Sequence, residues 1–100
     1  MVVKLNGEKV EVCNDHGGIR CTIVYSDAID CDLDRAEKRV VVTLKNGQVR
    51  VYSSTGGQLC AIVYSNAVSA RWTGDGNIAV RKTNGRTEIY GATGGFKYTI

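Results

Sequence analysis

Apolar residues in this chain come in short runs with the period of strands, and no stretch carries the three-and-four spacing of an amphipathic helix. R-V-V-V-T-L at 39–44, V-R-V-Y at 49–52, L-C-A-I-V-Y at 59–64 and N-I-A-V-R-K at 77–82 are dense in Val, Ile and Tyr. Glycine-containing turns separate them. Alternation is clean on A-I-D-C-D-L-D at 28–34, where Ile29, Cys31 and Leu33 fall on one face and Asp30, Asp32 and Asp34 on the other. The near-continuous runs V-V-V and C-A-I-V-Y suit strands covered on both faces. The pattern predicts an all-β protein of many short strands.

The pattern also repeats. Asn-Gly pairs stand at Asn6-Gly7, Asn46-Gly47 and Asn84-Gly85, and Gly-Gly pairs at Gly17-Gly18, Gly56-Gly57 and Gly94-Gly95. Asn-Gly between apolar runs predicts a tight type I′ hairpin turn. Aligned on these marks, Val10–Asp27 agrees with Val49–Asn66 at Val10, Val12, Gly17, Gly18, Cys21, Ile23, Val24, Tyr25 and Ser26. A third copy, Thr87–Ile100, repeats I-Y-x-x-T-G-G. A period of about 39 residues with four short strands is the signature of a propeller blade. The repeats divide the single domain into approximately 1–27, 28–66 and 67–100.

Ala67–Ile100 resembles one blade of the WD40-like β-propeller class. It has an inner strand, a D-G-N turn, a second strand, an N-G turn, a third strand, T-G-G and an outer strand. Where that family carries Trp-Asp, this chain has Cys13-Asn14, Tyr52-Ser53 and Tyr90-Gly91, so the family's Asp–His–Ser/Thr–Trp network is not implied. Eleven strands make about two and three quarter blades, because nothing in the first copy corresponds to an inner strand. A ring takes four to eight blades, which leaves the outer faces of the first and last blades to be covered. The expectation is a homo-oligomeric ring, with a dimer favoured.

Composition adds little to this picture. There is no Pro, Gly numbers 12, and the net charge is +3. Residues 1–70 balance eight bases against eight acids, so Arg71, Arg81, Lys82, Arg86 and Lys97 supply the excess over Asp75 and Glu88. A nucleic-acid surface built on Arg71, Arg81, Lys82 and Arg86, with Trp72, Tyr90, Phe96 and Tyr98 as stacking partners, is the alternative functional reading. No apolar run is long enough for a signal peptide or a membrane span, so the expected location is cytoplasmic.

Candidate chemistry is sparse. Cys13, Cys21, Cys31 and Cys60 lack C-x-x-C spacing and read as reduced packing residues; the alternative is a Cys13–Cys21 disulfide, which requires an oxidising compartment. D-C-D-L-D starts like a calcium loop, but its sixth and twelfth positions are Arg35 and Val41. His16 stands in a turn with no nucleophile beside it. The Gly-Gly pairs precede strands, not helices, and cradle no phosphate. No cofactor and no catalytic set is expected. The best candidate site is the inner-strand face lining a channel: Asp30, Asp32, Ser69 and Arg71, with Asp32 set against Arg71. The expected role is a non-enzymatic scaffold that binds a protein partner on the ring face or channel; a glycan-binding propeller is a further alternative.

Overall fold

The computed structural model describes residues 1–100 and contains eleven strands and no helix. They are β1 (Val2–Asn6), β2 (Lys9–Cys13), β3 (Ile19–Val24), β4 (Ala28–Leu33), β5 (Arg39–Leu44), β6 (Val49–Ser53), β7 (Gln58–Val63), β8 (Ala67–Trp72), β9 (Ile78–Lys82), β10 (Thr87–Tyr90) and β11 (Phe96–Thr99). They form three antiparallel meanders in chain order: β1-β2-β3, β4-β5-β6-β7 and β8-β9-β10-β11. No helix is present to cross a membrane.

The sheets stack face to face, and the middle one is covered on both sides. On β5, Val40, Val42 and Leu44 enter a core shared with Val10, Val12, Ile23 and Val24 of the first sheet. Val41, one residue out of phase, enters a second core shared with Ala67, Ala70, Ile78 and Val80 of the third sheet. Alternate residues on a strand point to opposite faces, so a V-V-V run serves two cores only when both faces are buried. On β6 the same division sends Tyr52 to the first core and Val49 and Val51 to the second.

The Asn-Gly turns depart from the expected geometry. In the second copy Gly47 has φ 85°, whereas Asn46 is not left-handed. The Gly47 N–H donates to Leu44 C=O at 3.0 Å and the Leu44 N–H to Gln48 C=O at 2.9 Å. This is a three-residue loop, a type I turn closed by a left-handed glycine, in place of type I′. Gly47 is demanded on a second count. A Cβ there would lie 2.3 Å from the Asn66 backbone nitrogen, because the Gly47 carbonyl accepts the Ala67 N–H at 3.1 Å and stitches the second sheet to the third.

Bulges correct the alternation expected on the inner strand. The register shifts between Ala28 and Asp30, so Ala28 is buried while Ile29 is exposed instead of sharing the Cys31–Leu33 face. Asp34 lies beyond the strand rather than on its polar face. Its Oδ1 accepts the N–H groups of Lys38 (2.8 Å) and Arg39 (3.0 Å), organising the turn into β5.

The cysteines are all free. Val12, not Cys13, stands opposite Cys21, and Cys13 faces Ile19. The two thiols therefore leave opposite faces of the first sheet, and the alternative of a Cys13–Cys21 bridge is overturned.

Thr43 carries a cost. It is 1 % exposed on the face of β5 turned to the second core, and its hydroxyl has no hydrogen-bond partner. An orphaned buried hydroxyl costs roughly 1–3 kcal/mol. Thr43→Val keeps the shape and removes the hydroxyl, so it raises unfolding stability by about 1–2 kcal/mol. A higher urea midpoint with an unchanged slope is the expected readout.

Candidate functional site

The inner strands of the second and third sheets meet along a polar seam. β8 pairs with β9 on one edge only, so its other edge presents backbone N–H groups without strand partners. Carboxylates of β4 meet two of them. Asp32 Oδ2 accepts the Trp72 N–H at 2.9 Å, and Asp30 Oδ2 accepts the Ala70 N–H at 3.4 Å. Residues two apart on a strand share a face, so an Asp-x-Asp pair matches the two-residue repeat of edge N–H groups. A side chain here does what a neighbouring strand does inside a sheet.

Arg71 pairs with Asp30, not with Asp32 as the aligned positions suggested. Asp32 and Arg71 occupy equivalent places in successive repeats, but the facing strands are offset, which brings the Asp32 carboxylate to the Trp72 backbone. The Arg71 guanidinium then turns to Asp30 and also donates to its neighbour's carbonyl, Ala70 C=O, at 2.9 Å. The hydrogen bond to Asp30 raises the Arg71 pKa further above its ordinary value. Arg71 is 55 % exposed, so solvent screens this pair, and it contributes direction more than stability.

Trp72 closes the seam from the side. Its indole Nε1–H donates to the Asp32 carbonyl at 3.1 Å, and the Arg39 guanidinium sits 5.0 Å from the ring centroid. Arg39 is itself tied to Asp34 at 3.4 Å. Trp72 and Tyr90 both pack against the second core, so they are packing residues and not free stacking platforms. Phe96 and Tyr98 are exposed. Ser69, the remaining channel candidate, is half-buried on β8 and makes no side-chain hydrogen bond, so of the four expected channel residues three are brought together.

The basic set divides as well. Lys82 is engaged, with Nζ donating to the Ser65 carbonyl at 3.2 Å and lying 3.6 Å from Glu88. Arg81 and Arg86 are exposed and form no ion pair. His16 is exposed in its turn, where its backbone N–H donates to Asn14 Oδ1. No group of three His, Cys, Asp or Glu side chains is arranged to hold a metal ion.

No family model and no curated protein matches the chain. Among solved structures, the crystal structure of the C-terminal WD40 domain of Sif2 matches with a TM-score of 0.70 and 14% identity, over 92% of this chain. The chain has the WD40-like propeller-blade fold. It spans 30% of the length of that Sif2 chain, in keeping with three adjacent sheets of a partial ring. In these terms each meander is a blade, β4 and β8 are inner strands, and the first blade is the three-stranded one.

Cys31 lies between the two aspartates on β4. Burial, helped by the Asp30 and Asp32 carboxylates, pushes its thiol up to about 11. The sign follows: the folded protein holds this proton where the unfolded chain releases it, so stability is full below the ordinary thiol pKa and is lost as pH rises through about 11. Denaturation midpoints should therefore fall between pH 9 and 11, and Cys31→Ala should flatten that fall.

Proposed function

We propose that the chain is a non-enzymatic structural and interaction scaffold, a propeller segment that joins a second copy of itself and offers the completed ring face to a protein partner. One observation carries this reading: no other sheet of the chain packs on the outward faces of the first and last blades, and the two faces are chemically unlike. On the last blade the face turned away from the second core bears Arg71, Ala79 and Arg81, with Ile89 only 2 % exposed yet part of neither core. The positions equivalent to Ala79, Arg81 and Ile89 in the middle blade are Val41, Thr43 and Val51, all buried against the next sheet. The third blade has exchanged part of an apolar face for a basic one.

The first blade's outward face carries Val2, Lys4, Glu11 and Cys13. Glu11 is 7 % exposed and its carboxylate has no basic partner within ion-pair distance. Nor does this blade hold an inner strand, so β1 pairs only with β2. A base-bearing face and a face with a free acid favour a heterologous contact of last blade to first blade. Two such contacts close a two-fold ring of two chains. A blade-sized face is close to the roughly 800 Å² per partner of an ordinary stable interface.

The nucleic-acid reading is weaker. Of its four cations only Arg81 and Arg86 are free of ion pairs.

Sedimentation equilibrium at micromolar concentration should return twice the 10.8 kDa chain mass. Arg81→Glu should weaken that dimer by about tenfold or more through misplaced like charge, with circular dichroism unchanged. A well-folded species at one chain mass would refute the shared ring. If duplex or single-stranded nucleic acid bound with a steep salt dependence that Arg81→Glu abolished, the basic face would have a different partner.

A further inference from the structure

The repeat supplies an internal comparison between two clefts. Each lies between neighbouring blades, where the loop after an outer strand meets the turn that follows the next blade's second strand. In both, a backbone bond closes the back: the Lys45 N–H to Asp27 C=O at 2.8 Å in the first, and the Thr83 N–H to Asn66 C=O at 2.9 Å in the second. The cleft between the second and third blades is filled. Lys82 and Glu88, only 16 % and 22 % exposed, face each other there, and Glu88 Oε1 accepts the Tyr90 hydroxyl at 2.7 Å.

The first cleft has the same tyrosine, Tyr52, but Leu44 in place of Lys82 and Arg50 in place of Glu88. It is open, with a volume of about 490 Å³. Its floor is apolar, made by Ile23, Val24, Leu44 and Tyr52, all buried. Two donors on that floor lack the acceptor that the second cleft provides. The Tyr52 hydroxyl makes no hydrogen bond, and Arg50, half-buried, has no carboxylate partner; its one side-chain hydrogen bond runs from Nη2 to Gln48 Oε1 at 2.6 Å. Lys45 at the rim does not share this want, because Glu8 takes its ammonium at 2.6 Å.

We propose that the cleft between the first two blades is a binding site for a small organic oxyanion, a phosphate or carboxylate group seated on Arg50 and Tyr52. Arginine with an adjacent O–H donor matches an oxyanion's several acceptor lone pairs in a way that a single lysine does not. The volume falls within the usual range for small-molecule sites, which join an apolar lining to a few convergent polar groups. Exposed Tyr25 at the mouth adds an aromatic wall for an apolar or ring substituent. Asp27, also at the mouth, confines the negative group to the Arg50 end and suits a hydroxyl or amine on the ligand's outer end. The site lies within one chain, so it stands or falls apart from the ring-closing dimer.

The test uses phenyl phosphate, benzoate and inorganic phosphate as probes, followed by amide chemical shifts of the ¹⁵N-labelled chain. Saturable shifts centred on Arg50, Tyr52 and Leu44 are expected for at least one probe, with dissociation constants below about 10 mM. Phenyl phosphate acting without benzoate assigns the group as a phosphate, and the reverse assigns a carboxylate. Leu44→Lys combined with Arg50→Glu copies the closed cleft; it should fold with an unchanged or higher urea midpoint and bind on the order of tenfold more weakly or not at all. Tyr52→Phe keeps the packing and should weaken binding severalfold. No saturable shift with any probe, shifts centred elsewhere, or equal affinity in the double variant would overturn the assignment.

Discussion

Two carboxylates hold the inner edge of one blade against the next, and the arrangement of the blades depends on them. A four-stranded antiparallel meander leaves its first strand with an unpaired row of N–H groups. An exposed edge of that kind is a template for wrong pairing. Asp30 and Asp32 occupy it at Ala70 and Trp72. Apolar packing between the sheets supplies most of the stabilisation but is nearly indifferent to register. Hydrogen bonds from a charged acceptor to fixed N–H groups are directional and set it. The seam is therefore where one blade is told which neighbour it has and at what offset.

Because the middle blade is sandwiched, its strands show what a fully committed blade looks like, and its neighbours can be measured against it. Val41, Thr43 and Val51 are buried on the face turned to the third blade. The corresponding face of the third blade substitutes Ala79 and Arg81, and replaces Asp30 and Asp32 with Ser69 and Arg71. Neither Ser69 nor Arg71 can offer a carboxylate to a following inner strand. Any blade laid on that face must be held by contacts other than a carboxylate seam. The clefts obey the same logic, since one exchange of charge between repeats leaves one closed and the other open.

Much of this was legible in the sequence because it rests on periodicity. Alternation on 28–34, the V-V-V run on 39–44 and the evenly spaced glycine turns specify strand number and two-sided burial. What escaped is what depends on small offsets. The bulge beside Ala28 shifts the register by one residue, so Ile29 leaves the core face, and the offset between β4 and β8 brings Arg71 to Asp30 instead of Asp32. Type I′ geometry was expected from Asn-Gly alone, but the loops at Gly47 and Gly85 include one more residue, and only glycine is left-handed. The exchange of Lys82 and Glu88 for Leu44 and Arg50 is visible in the aligned repeats. Its meaning needed the stacking of the blades, which puts both positions in one cleft.

Amide hydrogen exchange in Asp32→Ala tests the seam most directly. Removing that acceptor frees the Trp72 N–H while leaving the ladders of the middle blade intact. Exchange at Trp72 should accelerate by about tenfold or more, with protection at Val41 and Val51 retained. Unchanged protection at Trp72 in a folded Asp32→Ala variant would contradict the claim that the β4 carboxylates hold the neighbouring blade.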